Sequence, residues 1–195
     1  MPQESVLPFC ALNETQKTEA VAVLVDGFGH QFTFAKTKDE LMQLFFSSLN
    51  EPQIYAYVEE NHVYGVLGLA TNTQRALKVD RSACIAIFGN FKGKMVYAIL
   101  HKMASALAVE KDTDLYIDYL ATSPDARRRG CATKLLNFAF SLPAYNDCYL
   151  DVLSKNTGAA KLYEKMGFGV YKKEFNIFAL LKGLGQPIML KKCVR

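Results

Sequence analysis

The C-terminal half of the chain repeats one pattern, and that repetition limits the folds open to it. Leu115 to Thr122 is strand-like, Ser123-Pro124-Asp125 breaks it, and Gly130 to Leu142 has helical spacing. Cys148 to Leu153 predicts a second strand and Asn156 to Met166 a short helix, after which Gly167-Phe168-Gly169 leads into a strand over Val170 to Phe178. A last strand is expected near Ile188 to Cys193. Strand, helix, strand, helix, strand implies a mixed α/β sheet with a parallel central pair, since a strand reached through a helical crossover runs parallel to its predecessor.

The N-terminal half supplies elements of the same kind. Ser5 to Leu12 suits a strand, and Asn13 with Gln16 offers an N-cap to a helix carrying Ala20, Val21, Leu24 and Phe28. Thr37 and Glu40 fit a capping box, each side chain serving the other's free backbone amide, ahead of Leu41, Leu44, Phe45 and Leu49. Ile54 to Val58 and Val63 to Leu69 flank the turn-like Glu59 to His62 and predict a hairpin. The apolar stretch from Ala83 to Val109, interrupted by Gly89 and Gly93, reads as one kinked helix or two shorter ones.

At 195 residues, half of them hydrophobic and 22% charged, the chain can bury enough apolar surface to order itself, and global disorder is excluded. No repeat or linker divides it, so one domain spanning residues 1–195 is expected. Lys92, Lys94, His101 and Lys102 interrupt its most apolar region, which leaves no run of about eighteen apolar residues to cross a membrane. The N-terminus has no basic segment followed by an apolar one, so the cytoplasm is the expected location. Five scattered cysteines without a CxxC pair, and only 3 histidines, suit neither a disulfide scaffold nor a zinc site, and no metal is expected. A net charge of +4 is too modest to point to nucleic acid, which would need an extended basic face and exposed aromatics.

Arg127-Arg128-Arg129-Gly130-Cys131-Ala132-Thr133 follows a strand and opens a helix. The first-turn amides of a helix lack intrahelical partners and lie at the positive end of its dipole, so they can cradle a phosphate. Gly130 and Ala132 leave room for one, and the arginines add charge-assisted contacts. Other phosphate motifs fail: there is no GxxxxGK(S/T), and neither Gly27-Phe28-Gly29 nor Gly183-Leu184-Gly185 has the third glycine of a dinucleotide fingerprint. A second block, Asn156 to Phe168, follows the next strand and ends in Leu162-Tyr163-Glu164-Lys165-Met166-Gly167-Phe168.

Together the two blocks resemble the GNAT superfamily of acyl-CoA-dependent N-acyltransferases. Arg127 to Ala132 matches the family's R/Q-x-x-G-x-G/A signature behind a strand that ends in a proline turn, and Asn156 with Leu162 to Phe168 matches its second signature. The resemblance is firm from about Leu115 to Phe175, within a cofactor-binding core of about 113–178. Two departures stand out: Thr122 where a valine is usual and Ala132 where a second glycine is commoner. Residues 83–109 read as an insertion or an elongated helix ahead of the core strand, which weakens any transfer of the family's substrates.

The resemblance implies a GNAT-type fold, two splayed parallel strands with acetyl-CoA wedged between them, and transfer of an acetyl group to a small-molecule or peptide amine by direct attack. It assigns Leu120, Ala121 and Thr122 to pantetheine and thioester, and the amides of Arg128 to Thr133, with Arg127, Arg128 and Arg129 nearby, to pyrophosphate. Asn156 would contact the cofactor or cap the following helix. The reaction needs a neutral amine, an oxyanion donor and a proton for the thiolate. Tyr163 is the expected acid, a phenol near pKa ~10 serving a thiolate whose acid lies near ~8.5.

For the base, Asp151 and Asp118 are carboxylates in strands that should be apolar, where burial without purpose is costly. Asp151 is preferred, while Asp118, sharing a strand face with Leu120 and Thr122, would attract a cationic amine. An Asp near ~3.9 needs a raised pKa or a water chain to serve an ammonium, so the identity of the base stays open. Cys131, beside the phosphates, is expected to be structural, and His30, His62 and His101 ordinary. A non-catalytic acyl-CoA-binding domain of the same fold is the alternative, and the apolar 83–109 segment makes a homodimer plausible.

Overall fold

A computed structural model of the protein describes residues 4–106, 108–173, 175 and 185–195. Seven strands form one sheet in the order β1-β2-β3-β4-β5-β7-β6. They are β1 (Glu4–Pro8), β2 (Ile54–Glu59), β3 (His62–Ala70), β4 (Asp114–Thr122), β5 (Asp147–Leu153), β6 (Gly169–Lys173) and β7 (Pro187–Cys193). β4 and β5 are parallel and every other neighbouring pair is antiparallel. The expected mixed sheet with its parallel central pair is the one found; the part of the expected strand over residues 176–178 lies outside the described residues.

Among the described residues six α-helices accompany the sheet: α1 (Glu14–Phe28), α2 (Lys38–Ser48), α3 (Arg81–Phe88), α4 (Asn90–Ser105), α5 (Cys131–Ser141) and α6 (Thr157–Lys165). Asn13 and Gln16 form the capping box that starts α1. At α2 only half of the expected box forms. Thr37 Oγ1 accepts from the Glu40 amide at 3.1 Å, but the Glu40 carboxylate reaches one residue further back, to the Lys36 amide at 2.6 Å. The hairpin turn is carried by Glu60 and Asn61, both at positive φ, as a tight turn between twisted strands requires.

On one face of the sheet, Leu135, Leu136 and Ala139 of α5 and Tyr163 of α6 pack with Leu67, Leu69, Leu115, Ile117, Leu150 and Val152. On the other, Val21 and Leu24 of α1 and Phe45 of α2 pack with Ala56, Val66 and Ala121. The 83–109 stretch is two helices, broken at Gly89, whose φ of +80° suits glycine. The chain reverses there, and Gly93 lets α4 lie on α3, since a Cβ at Gly93 would stand 2.5 Å from the Cys84 carbonyl oxygen. Val96 and Leu100 of α4 are buried with Cys84 and Leu44, while Phe91, Met95, Ile99 and Met103 face outward. Among the described residues no helix is long and apolar enough to cross a membrane.

Candidate active site

The site begins at an irregularity in β4. Gly68 of β3 is opposite Tyr119 but Leu69 is opposite Ile117, so Asp118 is an extra residue, a β-bulge. Before the bulge Leu115 and Ile117 face α5; after it Leu120 does, and Tyr119 and Ala121 face α1. Pairing between β4 and β5 ends at Ile117–Leu150, directly before the bulge. Beyond that point β4 keeps β3 on one side and β5 keeps β7, and the edges they turn toward each other carry unpaired backbone groups.

The bulge corrects one expectation. Asp118 does not share a face with Leu120, because the inserted residue inverts the alternation, and its carboxylate is already in use. Arg75 Nε donates at 3.1 and 3.0 Å to its two oxygens, Arg75 Nη2 donates at 2.6 Å, and the Ala76 amide donates at 2.9 Å. With a side chain only 4% exposed and its charge met by Arg75, Asp118 pins the β3–α3 connection to the bulge. An incoming cation finds no free carboxylate there.

A cleft of about 710 Å³ opens between the separated strands. Leu120, Ala121 and Thr122 form one wall, Arg127, Arg128, Gly130, Cys131, Ala132 and Thr133 one end, and Asn156, Leu162 and Tyr163 the opposite side. Sequence reasoning therefore named residues that the fold brings around a single cavity. Arg129 is the exception among the three arginines. Its guanidinium turns away to both Glu59 oxygens at 3.1 Å and lies 5.0 Å from the Tyr64 ring centroid, fastening the turn to the β2–β3 hairpin. Arg128 and Gly130 on either side of it have positive φ, and α5 starts without a side-chain cap. Left-handed residues before an uncapped helix leave consecutive N–H groups available to an anion.

Three side chains complete the geometry. Asn156 caps α6 by accepting from the Ala159 amide at 3.2 Å. Tyr163 is buried, its ring set edge-on to Phe168 at 5.8 Å, and burial pushes its phenol up to about 12. It stays protonated throughout the neutral range and keeps a proton to donate there. Cys131 is buried, its S–H directed to the Ala126 carbonyl at 3.7 Å, and burial raises its thiol, as befits a structural cysteine.

Asp151 is not the buried carboxylate its strand suggested, for it is exposed. It projects on the side of Tyr149, opposite Leu150 and Val152, and is hydrogen-bonded with Tyr116 of β4. Asp151 and Tyr163 thus approach from opposite faces of the sheet, which communicate where β4 and β5 separate.

A second cavity, about 420 Å³, shares Gly27, Leu120 and Asn156 with the first and is completed by Phe28, His30, Gln31, Leu153 and Lys155. His30 and Gln31 come from the 3₁₀ turn after α1. His30 is isolated in sequence and Lys155 stands outside both sequence blocks, so nothing in their local pattern links the two. Gly27 lets α1 approach, since a Cβ there would stand 3.0 Å from that of Ala121. No group of three or more His, Cys, Asp or Glu is arranged to hold a metal among the described residues.

The family model described as acetyltransferase (GNAT) family matches residues 22–168. The chain belongs to the GNAT acetyltransferase family. Solved structures agree at the level of the GNAT fold. A histone acetyltransferase HPA2 and related acetyltransferase from Corynebacterium glutamicum is 22% identical, with a TM-score of 0.65 over 99% of this chain and 97% of that one. An N-acetyltransferase from Staphylococcus aureus is 18% identical, with a TM-score of 0.60 over 96% of this chain and 100% of that one. A GNAT family acetyltransferase from Elizabethkingia anophelis with acetyl-CoA bound is 13% identical, with a TM-score of 0.57 over 97% of each. No curated protein sequence matches the chain. At these identities the structural likeness concerns the fold alone, and the family rests on the sequence match.

Proposed function

We propose that this single-domain protein is an N-acetyltransferase that passes the acetyl group of acetyl-CoA directly to an amine. The observation that carries the reading is the cleft itself: separated strand edges on one side, an uncapped helix N-terminus at the end, and a protonated tyrosine in the wall. Acetyl-CoA supplies an activated thioester. The amides of Cys131, Ala132 and Thr133, with Arg127 and Arg128, would hold its pyrophosphate. The free edge of β4 at Leu120 to Thr122 offers its backbone groups to the pantetheine amides, as a sheet edge does to an added strand.

Tyr163 then stands as the hydrogen-bond donor to the departing sulfur. With its pKa at about 12, its role is to stabilise developing thiolate charge and release a proton only as that charge forms. Asp151, on the opposite face, is the group we assign to the amine, accepting its proton directly or through water.

Initial velocities of thiol release, measured over a matrix of acetyl-CoA and amine concentrations, test direct attack. The reading predicts intersecting double-reciprocal lines and an amine product heavier by one acetyl group; parallel lines would indicate a covalent enzyme intermediate instead. The alternative, a regulatory acyl-CoA-binding domain, would bind acetyl-CoA and release no thiol with any amine.

A further inference from the structure

The second cavity adjoins the cleft where the thioester would lie, and its charges are one-sided. Phe28, Leu120 and Leu153 give it apolar walls, while His30 and Lys155 stand at its rim. Among the described residues no acidic side chain lines it, and neither His30 nor Lys155 has an ion-pair partner. The nearby carboxylates are engaged elsewhere, Asp26 with Lys38 at 2.8 Å and Asp118 with Arg75. Asp151, two residues before Leu153 on the same strand face, is outside the lining and is hydrogen-bonded with Tyr116.

Such a pocket discriminates. A polyamine or an aminoglycoside carries several positive charges, and here all but the reacting one would meet His30 and Lys155 with no carboxylate to offset them. An amine that also carries an anionic group is matched at both groups, ammonium toward Asp151 and anion toward Lys155, with an apolar body left for Phe28, Leu120 and Leu153. A cavity of about 420 Å³ suits a molecule of amino-acid size.

We propose that the acceptor is a small amine bearing an anionic group and an apolar body, an apolar amino acid being the simplest case. This rests on the acetyltransferase reading above and narrows its acceptor. The test compares kcat/KM for phenylalanine, phenylalaninamide and spermidine in wild-type protein and in Lys155→Glu, with Lys155→Gln as the milder variant and thermal melting to verify folding. Phenylalanine should be the preferred substrate, and its advantage over the amide should fall by about tenfold or more in Lys155→Glu, with Lys155→Gln intermediate. The amide's amine is less protonated at neutral pH; that difference works against the prediction in wild type and cancels when variants are compared.

Preference for spermidine, no turnover of phenylalanine, or a phenylalanine-to-amide ratio unchanged in a folded Lys155→Glu would each overturn the proposal. A parallel titration with acetyl-CoA separates the two levels. Binding without phenylalanine turnover defeats the acceptor assignment alone, whereas absence of binding defeats the enzyme reading beneath it.

Discussion

Arg75 holds Asp118 through both carboxylate oxygens at the residue where β4 bulges away from β5. The same guanidinium donates to the Ala106 carbonyl at 2.7 Å and the Met103 carbonyl at 3.4 Å, at the end of α4. One ion pair therefore joins the bulge beside the cleft to the end of α4.

Removing one member of this pair leaves the other without its partner in a mostly buried setting, a change that typically costs about 3–5 kcal/mol. Asp118→Ala should lower the urea midpoint accordingly with an unchanged m-value. Because the bulge also sets the free edge of β4, KM for acetyl-CoA should rise even under conditions where the variant is fully folded. Equilibrium unfolding and steady-state kinetics on one preparation check both effects.

Tyr163→Phe should lower kcat by about 10²-fold while leaving acetyl-CoA affinity close to wild type, since only a donor used in the transition state is lost. With the phenol pushed up to about 12, its ionisation cannot produce a falling limb in the wild-type rate profile between pH 7 and pH ~10. A falling limb in that range that disappears in Tyr163→Phe would place the phenol below about 12, whereas an unchanged kcat in Tyr163→Phe would contradict its role as the donor.

The proposed cofactor end of the site was legible as one neighbourhood because its residues are consecutive. Leu120 to Thr133 is one strand, one turn and one helix start, and Asn156 to Tyr163 one short helix, so local pattern and spatial neighbourhood coincide. Asp118 was misplaced because period-two reasoning assumes an unbroken strand, and the bulge follows from tertiary contacts with Arg75, 43 residues away in sequence. Arg129 looked equivalent to its neighbours until the left-handed Arg128 turned successive side chains in different directions. The wall formed by His30, Gln31 and Lys155 joins a turn after α1 to the end of β5, a pairing no local pattern announces.

Alkaline stability depends on buried acids, Cys148 and Tyr163 among them. Burial pushes the Cys148 thiol from 9.0 up to about 12 and the Tyr163 phenol from 10.0 up to about 12. As pH rises past each unfolded value, the unfolded chain releases protons that the folded chain still holds, so stability falls until the folded groups also ionise. Stability present below pH ~9 should therefore decline between about pH 9 and 12, and Cys148→Ala should shallow that decline. Chemical denaturation at a series of pH values reads the slope directly.

The most direct test of the account is calorimetric titration of acetyl-CoA into the wild-type protein and into a double variant, Arg127→Glu with Arg128→Glu, that places negative charge at the phosphate end of the cleft. The account predicts saturable, stoichiometric micromolar binding to the wild type and a loss of at least about 10²-fold in the folded variant. No binding by the wild type, or equal binding by both proteins, would contradict the assignment of the cleft between β4 and β5 to acetyl-CoA.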